Sequence, residues 1–495
     1  MKSRSLKQVR LATLAFPPLG AFWLWTSREI RLRRKILGSF GITFYSVLYA
    51  GLLIFLFLRS GLLEYEFRGG YIPRLTLHKT VPDYTALEAN RQQQKKTIPS
   101  SPATGVQASA YWNGFRGPRR DGVYDEMPIK TAWPDSGLEP VWKQPVGGGY
   151  ASFAIADGRA FTIEQRRAQE VATAYDLQSG LELWTNSWDA SFREQLGGDG
   201  PRATPAFDEN RVYVLGALGE LRCLNATNGQ MLWRKNILTE NGAPELTYGM
   251  AASPLVLGEK LIVTPGGPAG HSVVAYNKLD GTKIWSSLSD EASYSSPMVV
   301  NLAGREQLLI VTAERAVGLD VATGTLLWEF PWIVQAGNRN IAQPVVLATN
   351  SIFLSAGYGT GCAGIEVDYS SSNFQARELW RNKQLKNKFS SSVLWQGYVY
   401  GLDEDMLTCL DARTGHRQWK EGRYGYGQLL LASSDLIILT GDGELALVKA
   451  ESARWQEIAR FAALRGKTWN HPALGGGFLL VRNSYEMACY KLSYR

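Results

Sequence analysis

Apolar residues follow two patterns along this chain. From Ile36 to Leu58 they run for 23 residues without a charge (ILGSFGITFYSVLYAGLLIFLFL). Beyond residue 140 they come in short runs broken by Gly, Asn and Asp. The first pattern predicts a helix about 35 Å long, enough to cross a bilayer core with some tilt. The second predicts short strands, because such runs bounded by turn residues are too brief for helices. Another apolar stretch, Leu11 to Thr26, carries Pro17-Pro18 at its middle. Two prolines break a spanning helix, so this stretch reads as an interfacial segment, with a two-pass hairpin as the alternative.

The short runs repeat. Asp176-Leu-Gln-Ser-Gly180 precedes Trp184, Asn225-Ala-Thr-Asn-Gly229 precedes Trp233, and Asn277-Lys-Leu-Asp-Gly281 precedes Trp285. Asp320-Val-Ala-Thr-Gly324 precedes Trp328, and Asp411-Ala-Arg-Thr-Gly415 precedes Trp419. Weaker copies end at Trp380 and Trp455. In such a turn the leading side chain accepts backbone N–H groups and the Gly takes the positive φ of a hairpin bulge. Trp on the next strand offers a flat face to the neighbouring unit. The second copy shows four strands, at 204–207, 211–215, 220–224 and 230–234. Four strands per roughly 40–45 residues is the period of a propeller blade.

The two ends complete each other. Glu139-Pro-Val-Trp142-Lys143 reads as a fourth strand without its first three. Residues 470–474, 478–482 and 486–490 read as three strands without a fourth. Pairing them closes a ring and removes the exposed edges, which an open row of sheets or two β-sandwiches would leave bare. The prediction is all-β: an eight-bladed β-propeller of four-stranded antiparallel blades over 111–495, its N- and C-terminal strands sharing one blade. Before it come a basic cytoplasmic or interfacial segment (1–35), a transmembrane helix (36–58) and a linker (59–110) in which 83–96 has helical potential.

The formal charge of +8 invites a nucleic-acid reading, but its placement removes it. Residues 1–59 hold ten Lys and Arg and one Glu, so the remainder of the chain is close to neutral. Bulk phosphate attraction therefore has no footprint on the propeller. Arg28, Arg31, Arg33, Arg34 and Lys35 precede the apolar run and Arg59 follows it. That asymmetry predicts a single-pass protein with a cytoplasmic N-terminus and a periplasmic or otherwise extracytoplasmic propeller. Neither apolar stretch ends in a small-residue cleavage site, so an uncleaved anchor is expected.

The D-x-x-T-G turns and following Trp strands resemble the pyrroloquinoline quinone (PQQ)-like repeat family. The lead-in Trp112-Asn-Gly-Phe-Arg-Gly-Pro118 with Asp121-Gly122 is similar to membrane-tethered bacterial members of it. The family includes outer-membrane protein assembly lipoprotein B-like propellers and quinoprotein alcohol dehydrogenases. The first kind implies a non-enzymatic module, with protein partners in envelope assembly. The second implies PQQ and calcium, with an adjacent Cys-Cys pair against the cofactor, Glu and Asn on the ion, and a catalytic Asp.

The chemistry of this chain favours the first kind. Cys223, Cys362, Cys409 and Cys489 are never adjacent, and three occupy the third-strand position of different blades, so buried free thiols are expected. His78, His271, His416 and His471 show no metal-ligand spacing. No catalytic, cofactor or metal residues are assigned. One constellation is a candidate ligand or peptide site. Ser152, Thr204, Ser253, Ser296, Gln343, Ser391, Gly427 and His471 stand just before the first strands, which line a propeller's channel, with Arg202, Lys388 and Trp469 close by. The plainer alternative is that small hydroxyl residues suit a crowded axis and cap strand ends. Trp142, Trp184, Trp233, Trp285, Trp328, Trp380, Trp419 and Trp455 are the structural repeat tryptophans. The functions left open are a membrane-tethered binding or scaffold module, a quinoprotein oxidoreductase, and a carbohydrate or polymer binder.

Overall fold

The repeat turns fold as their residues dictate. Asp320 Oδ1 accepts the N–H groups of Ala322 and Thr323, at 3.0 and 2.9 Å, and Asp411 and Asn225 act alike. The closing glycines 180, 229, 281, 324 and 415 all stand at φ 72–76°, the left-handed region that a Cβ penalises. Across the hairpin each Trp faces a small residue. Ala174, Cys223, Ala275, Gly318, Gly364 and Cys409 pair with Trp184, Trp233, Trp285, Trp328, Trp380 and Trp419, and a register shift follows each pair. The bulge and the small partner turn the indole toward the next blade. There Trp142, Trp184, Trp233, Trp285 and Trp380 lie on the turn glycine of that blade: a Cβ at Gly180 would stand 2.6 Å from the Trp142 ring. Trp142, Trp184 and Trp233 also donate Nε1–H to the backbone carbonyls of Leu177, Ala226 and Lys278 in the following blade.

This computed structural model describes residues 5–60, 62–66, 74–76, 82–97, 111–335 and 339–494. His78 and residues 98–110 of the expected linker lie outside the described residues. The chain divides into two compact units, Met1–Lys79 and Thr80–Arg495.

The larger unit is an eight-bladed propeller. Seven blades take four consecutive strands each, spanning 154–189, 206–236, 255–287, 298–331, 345–382, 393–423 and 428–462. The eighth takes three strands from 473–491 and its outer one from Trp142–Pro145, with Trp142 facing Cys489 and Pro145 facing Glu486. Val123–Tyr124 adds a fifth, parallel strand to the inner edge of blade seven.

Trp455 requires a correction. It precedes the fourth strand of blade seven, Glu457–Ala462, and Ala459 occupies the Trp position opposite Leu447. The reason is the turn. In blade four Asp320 N–H meets Thr325 O, whereas in blade seven Lys449 N–H meets Gln456 O, a loop two residues longer. With this longer loop the aromatic lands off the strand, where its Nε1–H bonds the Tyr424 hydroxyl at 3.1 Å.

Within the expected linker a helix, Tyr84–Thr97, belongs to the propeller unit. Its Leu87 is buried. Arg91 reaches Glu182 of blade one and both Gln144 Oε1 and Pro145 O of the closing strand, at 3.1, 3.1 and 2.9 Å. The helix thus clamps the seam where the ring closes.

Blade one also buries Glu170, which accepts Ala217 N–H and Trp188 Nε1–H. Burial pushes its carboxyl up to about 7 against the lowering by those donors. With a folded value above the unfolded one, its contribution is full below about pH 4.5 and lost as pH rises through 7. Wild-type stability is therefore expected to fall by about 2 kcal/mol from pH 5.5 to 8 through this group. Urea titrations of Glu170→Gln should lose that part of the slope, and an unchanged slope would contradict the assignment.

Among its described residues the smaller unit holds three helices. Leu6–Ala15 (α1) is capped by Ser5, whose Oγ accepts Gln8 N–H at 3.4 Å. Phe16 ends it and Pro17 starts Pro17–Thr26 (α2), as a ring without an N–H favours. Each has ten residues, about 15 Å, too short to cross a bilayer core. Leu32–Ser60 (α3) has 29 residues, is almost wholly exposed, and is long and apolar enough to span a membrane. Val9, Leu24 and Ile30 form the small core of this unit.

Candidate functional site

The lead-in segment 112–122 enters the propeller axis. Trp112 O accepts Ile155 N–H of blade one and Asn113 O accepts Phe207 N–H of blade two, both at 2.8 Å. Arg116 reaches Ser392 O before blade six, at 2.8 Å, and His471 Nε2 before blade eight, at 2.7 Å. Arg120 reaches Ser253 O, Pro254 O and Pro297 O, ahead of blades three and four. A segment touching opposite sides of the ring occupies its centre. The loop makes this turn with Arg116, Gly117, Arg120 and Gly122 all at φ between 58° and 85°.

Both guanidiniums are buried, and the atoms they meet on the axis are backbone carbonyls and one imidazole. Burial lowers Arg116 to about 10, partly offset by Asp121, and lowers Arg120 to about 9. Both stay charged at neutral pH. Burial and the Arg116 charge hold His471 well below its ordinary value, so its neutral Nε2 accepts the Arg116 N–H.

Around this plug the expected polar ring is present and joined to itself. Ser152 N–H donates to Thr204 Oγ1 at 3.0 Å, Thr204 N–H to Ser253 Oγ at 2.9 Å, and Ser253 N–H to Ser296 Oγ at 2.9 Å. Ser296 N–H donates to Gln343 Oε1 at 2.6 Å and Gln343 N–H to Ser391 Oγ at 3.0 Å. Ser152 Oγ–H closes the circuit onto His471 O at 2.6 Å. In blade seven Gly427 has no side chain to offer. Gln428 bridges the gap instead, donating to Phe389 O and Trp469 O at 2.9 and 3.1 Å. The ring side chains are buried and spent on neighbouring blades, which makes them a belt in the wall.

Two residues before five of the ring positions stand Tyr150, Arg202, Tyr294, Phe389 and Trp469. Trp469 stacks on Tyr150 (5.7 Å, 29°) and packs against Phe389 at 4.7 Å, and Phe389 meets Tyr426 at 5.6 Å. Cations lie on these rings: Arg202 over Tyr150 at 5.1 Å, Lys467 over Trp469 at 4.3 Å, Lys388 over Tyr426 and Tyr358 at 4.9 Å each. The structure thus brings Arg202, Lys388 and Trp469 into one aromatic and cationic patch at the channel mouth, with Lys388 and Lys467 buried and the aromatic rings half-buried. Burial lowers both Arg202 and Lys388.

Tyr150, Phe389, Tyr426 and Lys467 escaped the sequence reading, although extending the ring alignment by two residues reaches the first two. Arg116 was visible only as part of a family lead-in and Arg120 was not singled out, because nothing local marks a loop that will sit on an axis. All four cysteines are buried and free, and burial pushes the Cys223, Cys362 and Cys409 thiols up to about 12. Among the described residues no group of three or more His, Cys, Asp or Glu is placed to hold a metal ion.

Comparison with known proteins agrees with this architecture. The family model described as outer membrane protein assembly factor BamB matches residues 167–421, just over half of the chain. The outer membrane protein assembly factor BamB of Bordetella pertussis is 20% identical over 375 residues, covering 67% of this chain and 92% of its own. The crystal structure of BamB from Moraxella catarrhalis superposes with a TM-score of 0.52 at 15% identity, over 72% of this chain and 98% of that one. Quinohemoprotein alcohol dehydrogenase from Comamonas testosteroni gives 0.53 at 13% identity, over 82% and 85%. At these identities the structural likeness carries the fold alone.

Proposed function

We propose, from the premise that the chain belongs to the BamB family of PQQ-like repeat β-propellers, that it is a membrane-tethered scaffold which binds protein partners in outer-membrane protein assembly. α3 is its anchor, and the positive charge before that helix directs the propeller to the extracytoplasmic side. The observation that carries the reading is the mouth patch of Tyr150, Trp469, Phe389 and Tyr426 with Arg202, Lys388 and Lys467. Tyr, Trp and Arg are the residues that dominate the desolvated centres of interfaces.

A quinone cofactor is the weaker reading. Calcium takes oxygen ligands, carboxylates foremost. The axis instead presents two guanidiniums held by backbone carbonyls, and these residues do not fit a calcium–quinone pair. The buried thiols stand on separate blades, which does not suit a vicinal pair.

The test uses the full chain in native membranes with a photo-crosslinking residue at position 426. A discrete envelope-protein adduct is expected. Trp469→Ala with Phe389→Ala should lower its yield by roughly tenfold or more. Purified full chain given PQQ and Ca2+ should show neither a bound quinone spectrum nor dye-linked alcohol oxidation. Stoichiometric binding with turnover would overturn the proposal, as would an adduct indifferent to the two substitutions.

A further inference from the structure

The N-terminal unit contains a groove that the scaffold role leaves unused. It measures about 780 Å3 between α1, α2 and α3. Leu14, Leu37, Gly41 and Ile42 give it an apolar flank, and Arg10 and Arg34 also line it. Neither arginine has a carboxylate partner among the described residues. Arg34 stands two residues before the uncharged run opens at Ile36. Leu37, Gly41 and Ile42 follow within the next two turns of α3. The groove therefore changes from cationic to apolar where α3 would pass from the headgroup layer into hydrocarbon.

We propose that this groove binds one anionic glycerophospholipid of the leaflet facing the N-terminus. The phosphodiester and its charged headgroup lie between Arg10 and Arg34, and an acyl chain lies along Leu37, Gly41 and Ile42. Guanidinium forks match phosphate oxygens in a bidentate way that an ammonium does not. Basic pockets beside spanning helices on the cytoplasmic side suit anionic headgroups. Gly41 leaves room for the chain, since a Cβ there would meet no heavy atom within 4 Å. A free phosphate would use the two arginines but not the apolar half. The proposal rests on α3 crossing the membrane.

The experiment is native mass spectrometry of the full chain released from detergent, with phosphatidylglycerol or phosphatidylcholine added. A single phosphatidylglycerol adduct is expected, retained over phosphatidylcholine. Arg10→Ala with Arg34→Ala should weaken it by roughly tenfold or more. Gly41→Leu, which fills the groove while both charges remain, should weaken it as well. Arg31→Ala with Arg33→Ala removes the same charge outside the groove and should leave it intact.

Equal loss in both double variants would mean bulk polybasic attraction and overturn the site. So would no loss in either, or competition by inorganic phosphate that ignores acyl length. Carbonate extraction of membranes separates the two readings. Release of the full chain at high pH defeats the anchor, whereas retention without lipid selectivity defeats the groove alone.

Discussion

Trp142→Ala is expected to destabilise the propeller by about 4 kcal/mol, read as a lowered urea midpoint in equilibrium unfolding of the full chain. Trp142 sits on the strand that completes blade eight, opposite Cys489, so it carries the outer strand that closes the ring. Its indole covers Gly180 in blade one and donates to Leu177 O at 3.0 Å. Truncation removes a large apolar contact and leaves the Leu177 carbonyl with the weaker Cys489 thiol donor at 3.7 Å, and the surrounding strands cannot collapse into the gap. Trp455→Ala supplies the contrast. That side chain is off the strand and should cost about 1 kcal/mol. Comparable losses in the two variants would contradict both the closing role of Trp142 and the displaced register of blade seven.

Arg120→Ala is expected to cost about 4 kcal/mol, because three buried carbonyls, those of Ser253, Pro254 and Pro297, lose their donors together. Arg120→Lys keeps the charge but not the planar fork that spans blades three and four, and should recover less than half of the loss. The same urea titration reads both. Full recovery with lysine would mean that charge, and not the fork, ties the axis together.

Much of the architecture was legible because its determinants are local. A turn such as Asp320–Gly324 needs one acceptor side chain and one residue free to take positive φ, and both are visible within five positions. The strand count and the mutual fit of the half-units at Trp142 and at 470–490 follow from the same repeat. Where the turn chemistry fades, between Lys449 and Glu457, the repeat no longer marks the register, and Trp455 precedes the strand whose Trp position Ala459 fills.

The centre of the molecule follows a different rule. Alignment of the repeats places Ser152, Thr204, Ser253, Ser296, Gln343 and Ser391 just before the first strands, which line the channel. It did not foretell that the side chains of Thr204, Ser253, Ser296, Gln343 and Ser391 would each be spent on the preceding blade, because that partner lies 43 to 52 residues away. Nor does anything near Arg116 or Arg120 announce that their carbonyl partners belong to blades on opposite sides of an axis. Strand, turn and edge chemistry is written within about ten residues and survives being read one copy at a time. What fills the channel, and which aromatics gather at its mouth, is settled only when eight copies meet and exclude water from the space between them.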